Sequence, residues 1–161
     1  MRALRGRLVY GVLPALTLVV ALLTGWLKWH TSMISDVEVA RAQSIHAASD
    51  TTIAMLSYRP DTVETQLNAA EDRLTGDLRQ SYGTLVDEAV IPGAKQQAIS
   101  AVAAVPAAAA ISVTRDHAVI LLFVDQTTTV GSDPPTSTAS SVKVTLEKVG
   151  TRWLVSDFTP E

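Results

Sequence analysis

The sequence predicts an α+β protein, with one N-terminal transmembrane helix followed by about three helices packed on a curved, roughly four-stranded antiparallel sheet. An uncharged apolar run occupies residues 8–27. Helical periodicity then dominates residues 35–91, and alternating Val, Thr and Ile-rich segments follow residue 100. Beyond the apolar run, residues 30–161 have the size of one domain with its own core.

The first predicted element is a membrane anchor. As a helix, residues 8–27 would span about 30 Å, the thickness of a bilayer hydrocarbon core. A cleaved signal peptide is the alternative, but its apolar core is normally about 7–15 residues long and precedes a small-residue cleavage site. The longer run here has no such site, which favours a retained anchor. Amphipathic interface residues flank the run: Tyr10, Trp26, Lys28 and Trp29.

The charges around the anchor predict its orientation. Three basic residues precede the apolar run, and no acidic residue occurs before Asp36. They are Arg2, Arg5 and Arg7. A positive N-terminal flank is retained on the cytoplasmic side. The prediction is therefore a short cytoplasmic tail, an anchor and an extracytoplasmic domain, at residues 1–7, 8–29 and 30–161.

Small residues recur with a four-residue spacing inside the predicted anchor. Gly11 and Ala15 form one such pair, and Ala21 and Gly25 form another. This spacing lets two membrane helices approach closely, so pairing of two anchors is a hypothesis that the sequence raises.

The charge of the outer domain argues against nucleic acid as a partner. Beyond His30 the chain has nine Lys or Arg and sixteen Asp or Glu, a formal charge of −7. Phosphate binding requires a basic surface, which this composition does not provide. The chain also has no cysteine, which excludes disulfides, thiolate metal sites and cysteine nucleophiles.

The first outer helix is predicted to begin at Ser35-Asp36-Val37-Glu38, which has the form of a capping box. Apolar and small residues then recur every three or four positions and predict its buried side. These residues are Val39, Ala42, Ile45, Ser49, Ile53 and Leu56.

Arg59-Pro60 interrupts this pattern, because proline disfavours helical geometry in the preceding residue. A second helix is predicted from a cap at Asp61, with Glu64 three residues later and Gly76 as a left-handed end. Its apolar stripe is Val63, Leu67, Ala70 and Leu74. A third helix is predicted from Asp77 to Pro92-Gly93. Its buried side is Leu78, Tyr82, Leu85 and Val86.

The second half of the outer domain predicts strands. Seven consecutive apolar residues, Ala118–Val124, indicate a central strand covered on both faces. The alternation of Val142, Val144 and Leu146 with polar residues indicates a strand with one wet face. A final strand is predicted over Arg152–Phe158.

Two further segments are less regular. Ala101–Ile111 is predicted as a strand in which Pro106 requires an edge position or a bulge. The stretch from Thr127 to Ser141 is rich in Ser, Thr, Pro and Gly, and we expect it to form an exposed, mobile hairpin loop. A cone-like sheet of this kind often encloses a pocket.

Several motifs occur in a characteristic order along most of the chain. They are the basic tail and anchor, Tyr58-Arg59-Pro60, Leu74-Thr75-Gly76 followed by Tyr82, Leu121-Leu122-Phe123-Val124-Asp125-Gln126, and Trp153-Leu154-Val155-Ser156-Asp157-Phe158-Thr159-Pro160. In this order and spacing the chain resembles the Mce-associated membrane proteins of actinobacteria. It departs from them in its very short tail and in Thr159, where an acidic residue is common.

The resemblance implies a cystatin-like cone, as in nuclear transport factor two and ketosteroid isomerase, and a role beside the lipid-importing Mce complexes of the cell envelope. The aromatic residues of these motifs are candidate partner or pocket contacts. They are Tyr58, Tyr82, Phe123, Trp153 and Phe158.

Catalytic chemistry is not indicated by the residues. Asp125 and Asp157 are the only carboxylates that end apolar strands, and both positions suit a chain returning to water. None of His30, His46 and His117 has metal-ligand or catalytic spacing. The sequence therefore predicts no enzyme, no metal and no cofactor.

Four functional hypotheses follow. The first is an accessory or scaffold subunit of an Mce-type lipid-import complex. The second is a module that binds a lipid or sterol in the cone. The third is an enzyme of the isomerase type, which would have to use Asp125 or Asp157. The fourth, by fold analogy alone, is the anchored scaffold of a type IV secretion-like system.

Overall fold

The computed structural model describes residues 36–161. The predicted tail and anchor lie outside the described residues, as do seven residues assigned to the anchor and its interfaces: Arg2, Arg5, Arg7, Tyr10, Trp26, Lys28 and Trp29. From residue 36 onward, no helix combines the length and apolar composition that crossing a bilayer requires. Val39–Glu161 forms one compact unit.

The element order confirms the predicted α+β architecture. Helix α1 covers residues 36–56, and the other helices are α2 at Val63–Glu71, α3 at Gly76–Leu85, a π-helical turn at Val86–Val90 and α4 at Ile91–Gln97. The strands are β1 at Ile99–Val113, β2 at His117–Val130, β3 at Thr136–Val149 and β4 at Arg152–Pro160. They form one antiparallel sheet in the order β1-β2-β3-β4.

The core lies between the helices and one face of the sheet. The helices contribute the predicted stripe of α2 and its following turn, which is fully buried: Val63, Leu67, Ala70 and Leu74. The sheet contributes alternate residues of its two central strands: Ala118, Ile120, Leu122, Val124, Val142, Val144 and Leu146. These positions confirm the alternating pattern predicted for β3.

The second face of β2 is not covered, contrary to the prediction for Ala118–Val124. Val119 and Leu121 are only partly buried, and Phe123 is 49% exposed. The helices pack on one face of the sheet, so a continuous apolar run here reflects one core face and one partly exposed apolar face.

The predicted buried side of α1 is wrong by about one position. Val39 is exposed, whereas Ala40, Ser44 and Ala48 are buried. Thr51, Thr52 and Met55 continue this row. The small side chains of this row let the helix pack closely against the core.

The predicted starts and ends of α2 and α3 are partly corrected. Thr62, and not Asp61, occupies the cap position of α2. Its hydroxyl donates to Gln66 Oε1 at 3.0 Å, and the same oxygen accepts from the Arg59 N–H at 3.0 Å. Gly76 has the predicted left-handed conformation, with φ +61°, but it is the first residue of α3.

Pro92-Gly93 does not end the third helical segment, which continues to Gln97. In the preceding π-helical turn, the Ile91 N–H donates to Val86 O, five residues back. The missing N–H of Pro92 therefore falls where the hydrogen-bonding pattern changes, and the loss of one helical bond is tolerated. The helix ends at Ala98, which has φ 51°.

The two irregular strand predictions have different outcomes. The predicted edge position and bulge of β1 are both confirmed, because the register with β2 shifts between Ala104 and Ala107, around Pro106. The predicted long loop at Thr127–Ser141 is wrong, since β2 and β3 extend into it and leave only residues 131–135 outside the strands. Threonine, which is frequent in this segment, favours extended pairing when a neighbouring strand is available.

Two glycine substitutions test these backbone conformations. Gly76→Ala is expected to destabilise the fold by about 1–2 kcal/mol, because a Cβ is unfavourable at positive φ. Gly93→Ala is the matched control. Gly93 lies within α4, and an added Cβ would contact nothing within 4 Å at either position. Gly93→Ala should stabilise the fold by about 0.5–1 kcal/mol. Urea-induced unfolding followed by circular dichroism measures both; equal effects would contradict this account.

Candidate binding cleft

An apolar cleft of about 390 Å³ lies between the helices and the sheet. This volume is within the usual range for ligand pockets, about 300–1,000 Å³. The lining residues come from the end of α1, from α3 and the π-helical turn, and from β2 and β4. They are Met55, Leu56, Tyr58, Leu78, Ser81, Tyr82, Leu85, Val86, Val90, Gln126 and Phe158.

The wall formed by α1 is held in place through its last carbonyl groups. The Tyr82 hydroxyl donates to Met55 O at 3.2 Å, and Gln126 Nε2 donates to Leu56 O at 3.0 Å. The final carbonyls of a helix have no partner within the helix, so these two side chains satisfy them. The same contacts connect α1 to α3 and to β2.

Main-chain bonds attach the next residues of the chain to the edge of the sheet. Tyr58 and Ala101 exchange two N–H···O bonds of 2.9 Å each. The Ala103 N–H also donates to Ser57 Oγ at 3.0 Å. These bonds hold Tyr58 beside β1 and direct the chain from α1 across the end of the cleft.

Both tyrosines of the cleft remain neutral at physiological pH. Partial burial raises the pKa of Tyr58 above its ordinary value. Burial raises the pKa of Tyr82 further, and the negative charge of Glu71 and the nearby Tyr58 add to this effect. Among residues 36–161, no Asp, Glu, His, Lys or Arg side chain lines the cleft. Its polar groups are therefore hydroxyls and one amide, of which the Tyr82 hydroxyl and the Gln126 amide already donate to main-chain carbonyls.

The structure brings together three of the five predicted contact residues. Tyr58, Tyr82 and Phe158 line the cleft. Phe123 lies on the opposite face of the sheet, alternating with the buried Leu122 and Val124. Trp153 does not line the cleft either.

Trp153 is buried and lines a separate concavity of about 700 Å³ between α1 and the start of β4. Lys148 Nζ lies 5.6 Å from the centroid of its ring. Among the described residues, its indole Nε1 has no hydrogen-bond partner. The concavity also carries both acidic and basic groups, including Asp50, Arg73 and Arg152.

Sequence reasoning missed several residues of the cleft. Leu85 was predicted to be buried with Tyr82, but it is 56% exposed at the cleft. Gln126 and Val90 gave no functional signal, because only tertiary packing brings them beside Tyr82. The helical periodicity of Leu78, Tyr82 and Val86 was the available signal, and it indicated a buried side without distinguishing core from cleft.

The candidate catalytic groups are dispersed over the surface. Asp125 and Asp157 are exposed, and Asp157 Oδ2 accepts from the Thr159 hydroxyl at 2.8 Å. His46 is exposed, with Nδ1 2.8 Å from Asp50 Oδ2, and His117 is exposed after the β1–β2 turn. His30 lies outside the described residues. Between residues 36 and 161, no group of three His, Asp or Glu residues is placed to hold a metal ion.

The fold is similar to that of several solved domains. An IcmL-like type IV secretion system protein from Legionella pneumophila matches 75% of this chain and 93% of its own, with a TM-score of 0.62 and 14% identity. The periplasmic domain of DotI matches 73% of this chain and 91% of its own, with a TM-score of 0.60 and 15% identity. CagV of Helicobacter pylori, a VirB8 homologue, matches 74% of this chain and 96% of its own, with a TM-score of 0.59 and 12% identity. At these identities the likeness concerns the fold alone.

The helices and the sheet therefore form an α+β domain with a fold similar to that of these solved domains. No family model matches the sequence. The outer membrane protein Rv1973 of Mycobacterium tuberculosis strain H37Rv is 53% identical over 153 residues, which cover 95% of this chain and 96% of that protein. This chain belongs to the same family. The uncharacterized protein Rv1362c is 43% identical over 85% of this chain and 64% of its own length.

The buried phenol of Tyr82 predicts a dependence of stability on alkaline pH. The pKa of this phenol is raised in the folded state. Its contribution to the stability of the fold is therefore complete below about pH 10, the pKa of an unfolded tyrosine, and is lost as the pH rises above that value. Tyr82→Phe should remove this part of the alkaline loss. At neutral pH it should cost about 1 kcal/mol, through the lost bond to Met55 O.

Urea-induced unfolding at several pH values between 8 and about 11 measures the Tyr82 effect, with the pH range set by the phenol pKa. Tyr58→Phe is the control, because Tyr58 is less buried and no side-chain hydrogen bond is formed by its hydroxyl among the described residues. The prediction would be contradicted if Tyr82→Phe kept the full alkaline loss of the wild-type protein.

Proposed function

We propose that this chain is a non-catalytic scaffold or accessory subunit that presents its α+β domain to protein partners in the cell envelope. The observation that carries this proposal is the composition of the cleft, which is apolar and, within the part of the chain that the structure describes, lined by no ionisable group other than two tyrosines. General acid–base catalysis at neutral pH needs a group that titrates near that pH. A neutral, apolar concavity instead suits the contact of a hydrophobic side chain or lipid.

The carboxylates outside the cleft support the same conclusion. Asp125 and Asp157 are both exposed, so neither has the apolar surroundings that raise a carboxyl pKa for catalysis. An isomerase using either residue would have to build its site on an open surface.

Two independent features support a location in the envelope. The predicted anchor with its basic flank would retain the chain in a membrane. A relative covering nearly the whole chain is named an outer membrane protein. We propose the anchored, extracytoplasmic topology, with the tail at residues 1–7 and the domain beyond residue 29 on the outer side.

For the partner, we propose an Mce-type lipid-import complex. This proposal rests on the resemblance of the motifs around Tyr58, Tyr82 and Trp153 to Mce-associated membrane proteins. The principal alternative is a scaffold in a type IV secretion-like assembly, for which the support is the likeness of fold to IcmL-like, DotI and CagV domains. Both alternatives share the scaffold role and differ in the proteins that would be bound.

Lipid binding is a second candidate function, favoured by the volume and apolar lining of the cleft. A bound lipid would contact Phe158 and Leu78, with its polar end near the neutral hydroxyl of Tyr58. Mass spectrometry of the detergent-purified full chain tests this function. Failure to detect any co-purified envelope lipid above the level in a detergent blank would count against it.

Co-purification tests the scaffold function. Leu85→Glu places a charge beside the cleft, where Leu85 is 56% exposed, and should reduce recovery of envelope partners by at least about tenfold, equivalent to about 1.4 kcal/mol. Val149→Glu is the matched control, because Val149 is 52% exposed at the end of β3 and does not line the cleft. It should leave recovery unchanged.

Mass spectrometry of the proteins recovered with the tagged full chain identifies the partner. Subunits of an Mce-type transporter would support the first assignment, and secretion components would support the alternative. Circular dichroism of both variants checks that the fold is retained. Equal recovery by wild type, Leu85→Glu and Val149→Glu would contradict a partner-binding role of the cleft.

A further inference from the structure

The two edges of the sheet differ in how their main-chain groups are satisfied. The edge of β4 is paired with the turn after α2, where the Thr75 N–H donates to Val155 O at 2.8 Å and the Val155 N–H donates to Arg73 O at 3.0 Å. The first half of β1 is paired with Tyr58 and Ser57. From residue 107 to residue 113, no described residue pairs with the outer edge of β1.

The register identifies the main-chain groups at this open edge. Ala101 directs its N–H and C=O away from β2, because both bond to Tyr58. Along β2, the residues that pair with Ala101, Ala108 and Ala110 lie an even number of positions from one another. Because hydrogen-bonding direction alternates along a strand, Ala108 and Ala110 also direct their N–H and C=O groups outward.

The open edge carries no charge. Ile99–Val113 contains no Asp, Glu, Lys or Arg, whereas β2, β3 and β4 each contain at least one. Proteins commonly protect an exposed edge with charged residues, proline or bulges. Here only the latter two are present: a bulge around Pro106 and a second irregularity at Ile111. Between them, residues 107–110 pair regularly with β2, carry no charge and have no partner on their outer edge among the described residues.

Exposed apolar side chains lie beside this segment. Ile111 is 60% exposed at its end. Phe123, which is 49% exposed, is the cross-strand neighbour of Ala107 in β2. A strand added to the edge would therefore gain apolar contacts in addition to main-chain hydrogen bonds.

We propose that residues 108–110 of β1 pair antiparallel with the same segment of a second copy of this chain, about a two-fold axis at Ala109. In this register Ala108 of each copy pairs with Ala110 of the other, which forms four N–H···O bonds. Ala109 faces Ala109 of the second copy at a non-hydrogen-bonded position. Ile111 of one copy lies opposite Ala107 of the other, near Phe123.

The charge of the domain favours a second copy at this edge. Each copy carries a formal charge of −7 beyond residue 30, so two copies repel except where they meet through uncharged surface. An antiparallel edge is self-complementary, as a two-fold interface must be. The paired small residues Gly11 with Ala15 and Ala21 with Gly25 would favour the same association within the predicted anchor.

The interface is small. Three paired residues on each copy bury far less than the roughly 1,600 Å² of a standard protein interface. The association is therefore weak for the domain in free solution and depends on the high local concentration that a shared membrane provides. The experiment consequently uses the full chain in membranes.

Disulfide trapping tests the pairing, since the chain has no cysteine of its own. Non-hydrogen-bonded residues on antiparallel strands have Cα atoms about 4.5 Å apart, within the disulfide range of about 4.4–6.8 Å. Ala109→Cys should give a covalent dimer on mild oxidation, seen on a non-reducing gel and reversed by reductant. Ala139→Cys is the control, because Ala139 is exposed on β3, outside the residues that pair with β4 and separated from β1 by β2, and should remain monomeric.

A second substitution distinguishes specific pairing from collision. Adding Ala108→Pro to Ala109→Cys removes an outward N–H without removing a bond to β2, which an edge strand tolerates. Two of the four N–H···O bonds are lost, one from each copy, so cross-linking should fall at least about fivefold, with circular dichroism unchanged. Absence of a dimer with Ala109→Cys, equal dimer from Ala139→Cys, or a cross-link to a protein of different mass would overturn the proposal.

Discussion

The attachment of the C-terminal end of α1 to the sheet is the constraint on which the other features of the domain depend. Its last carbonyls accept from Tyr82 and Gln126, and the next residues bond to β1 through Tyr58. A helix end needs partners for these carbonyls. Side chains of α3 and β2 provide these partners, and the cleft lies between the elements that they connect. The residues after α1 occupy the first half of the β1 edge. The cleft and the remaining open edge therefore have one structural origin.

The packing of the helices determines which surfaces remain for contact. Buried small residues of α1, including Ala40, Ser44 and Ala48, allow a close approach to the rest of the core. The covered face of the sheet is then filled by alternate residues of β2 and β3. The second face keeps Phe123 half exposed beside an alanine-rich strand. A domain with one covered face has apolar surface left for partners.

The charges of the domain contribute little to its chemistry and more to its associations. The ion pairs between Arg79 and Glu71 and between Lys95 and Glu64 lie at the surface, where such pairs contribute only a few tenths of a kcal/mol to about 1 kcal/mol. They connect α2 to α3 and α4 without forming a site. The acidic surface instead repels another acidic molecule. The uncharged strand β1 is a place where such a molecule can approach.

The order of the elements, the α2 stripe, the alternation of β3 and the irregularity at Pro106 could all be predicted from the sequence, because each depends on the period or geometry of neighbouring residues. Tertiary structure alone decided which row of α1 is buried, that Phe123 is exposed, and that the helix continues through Pro92. It also brought Tyr58, Tyr82 and Phe158 to one cleft. These features depend on which surfaces meet, and residues far apart in the chain decide that together.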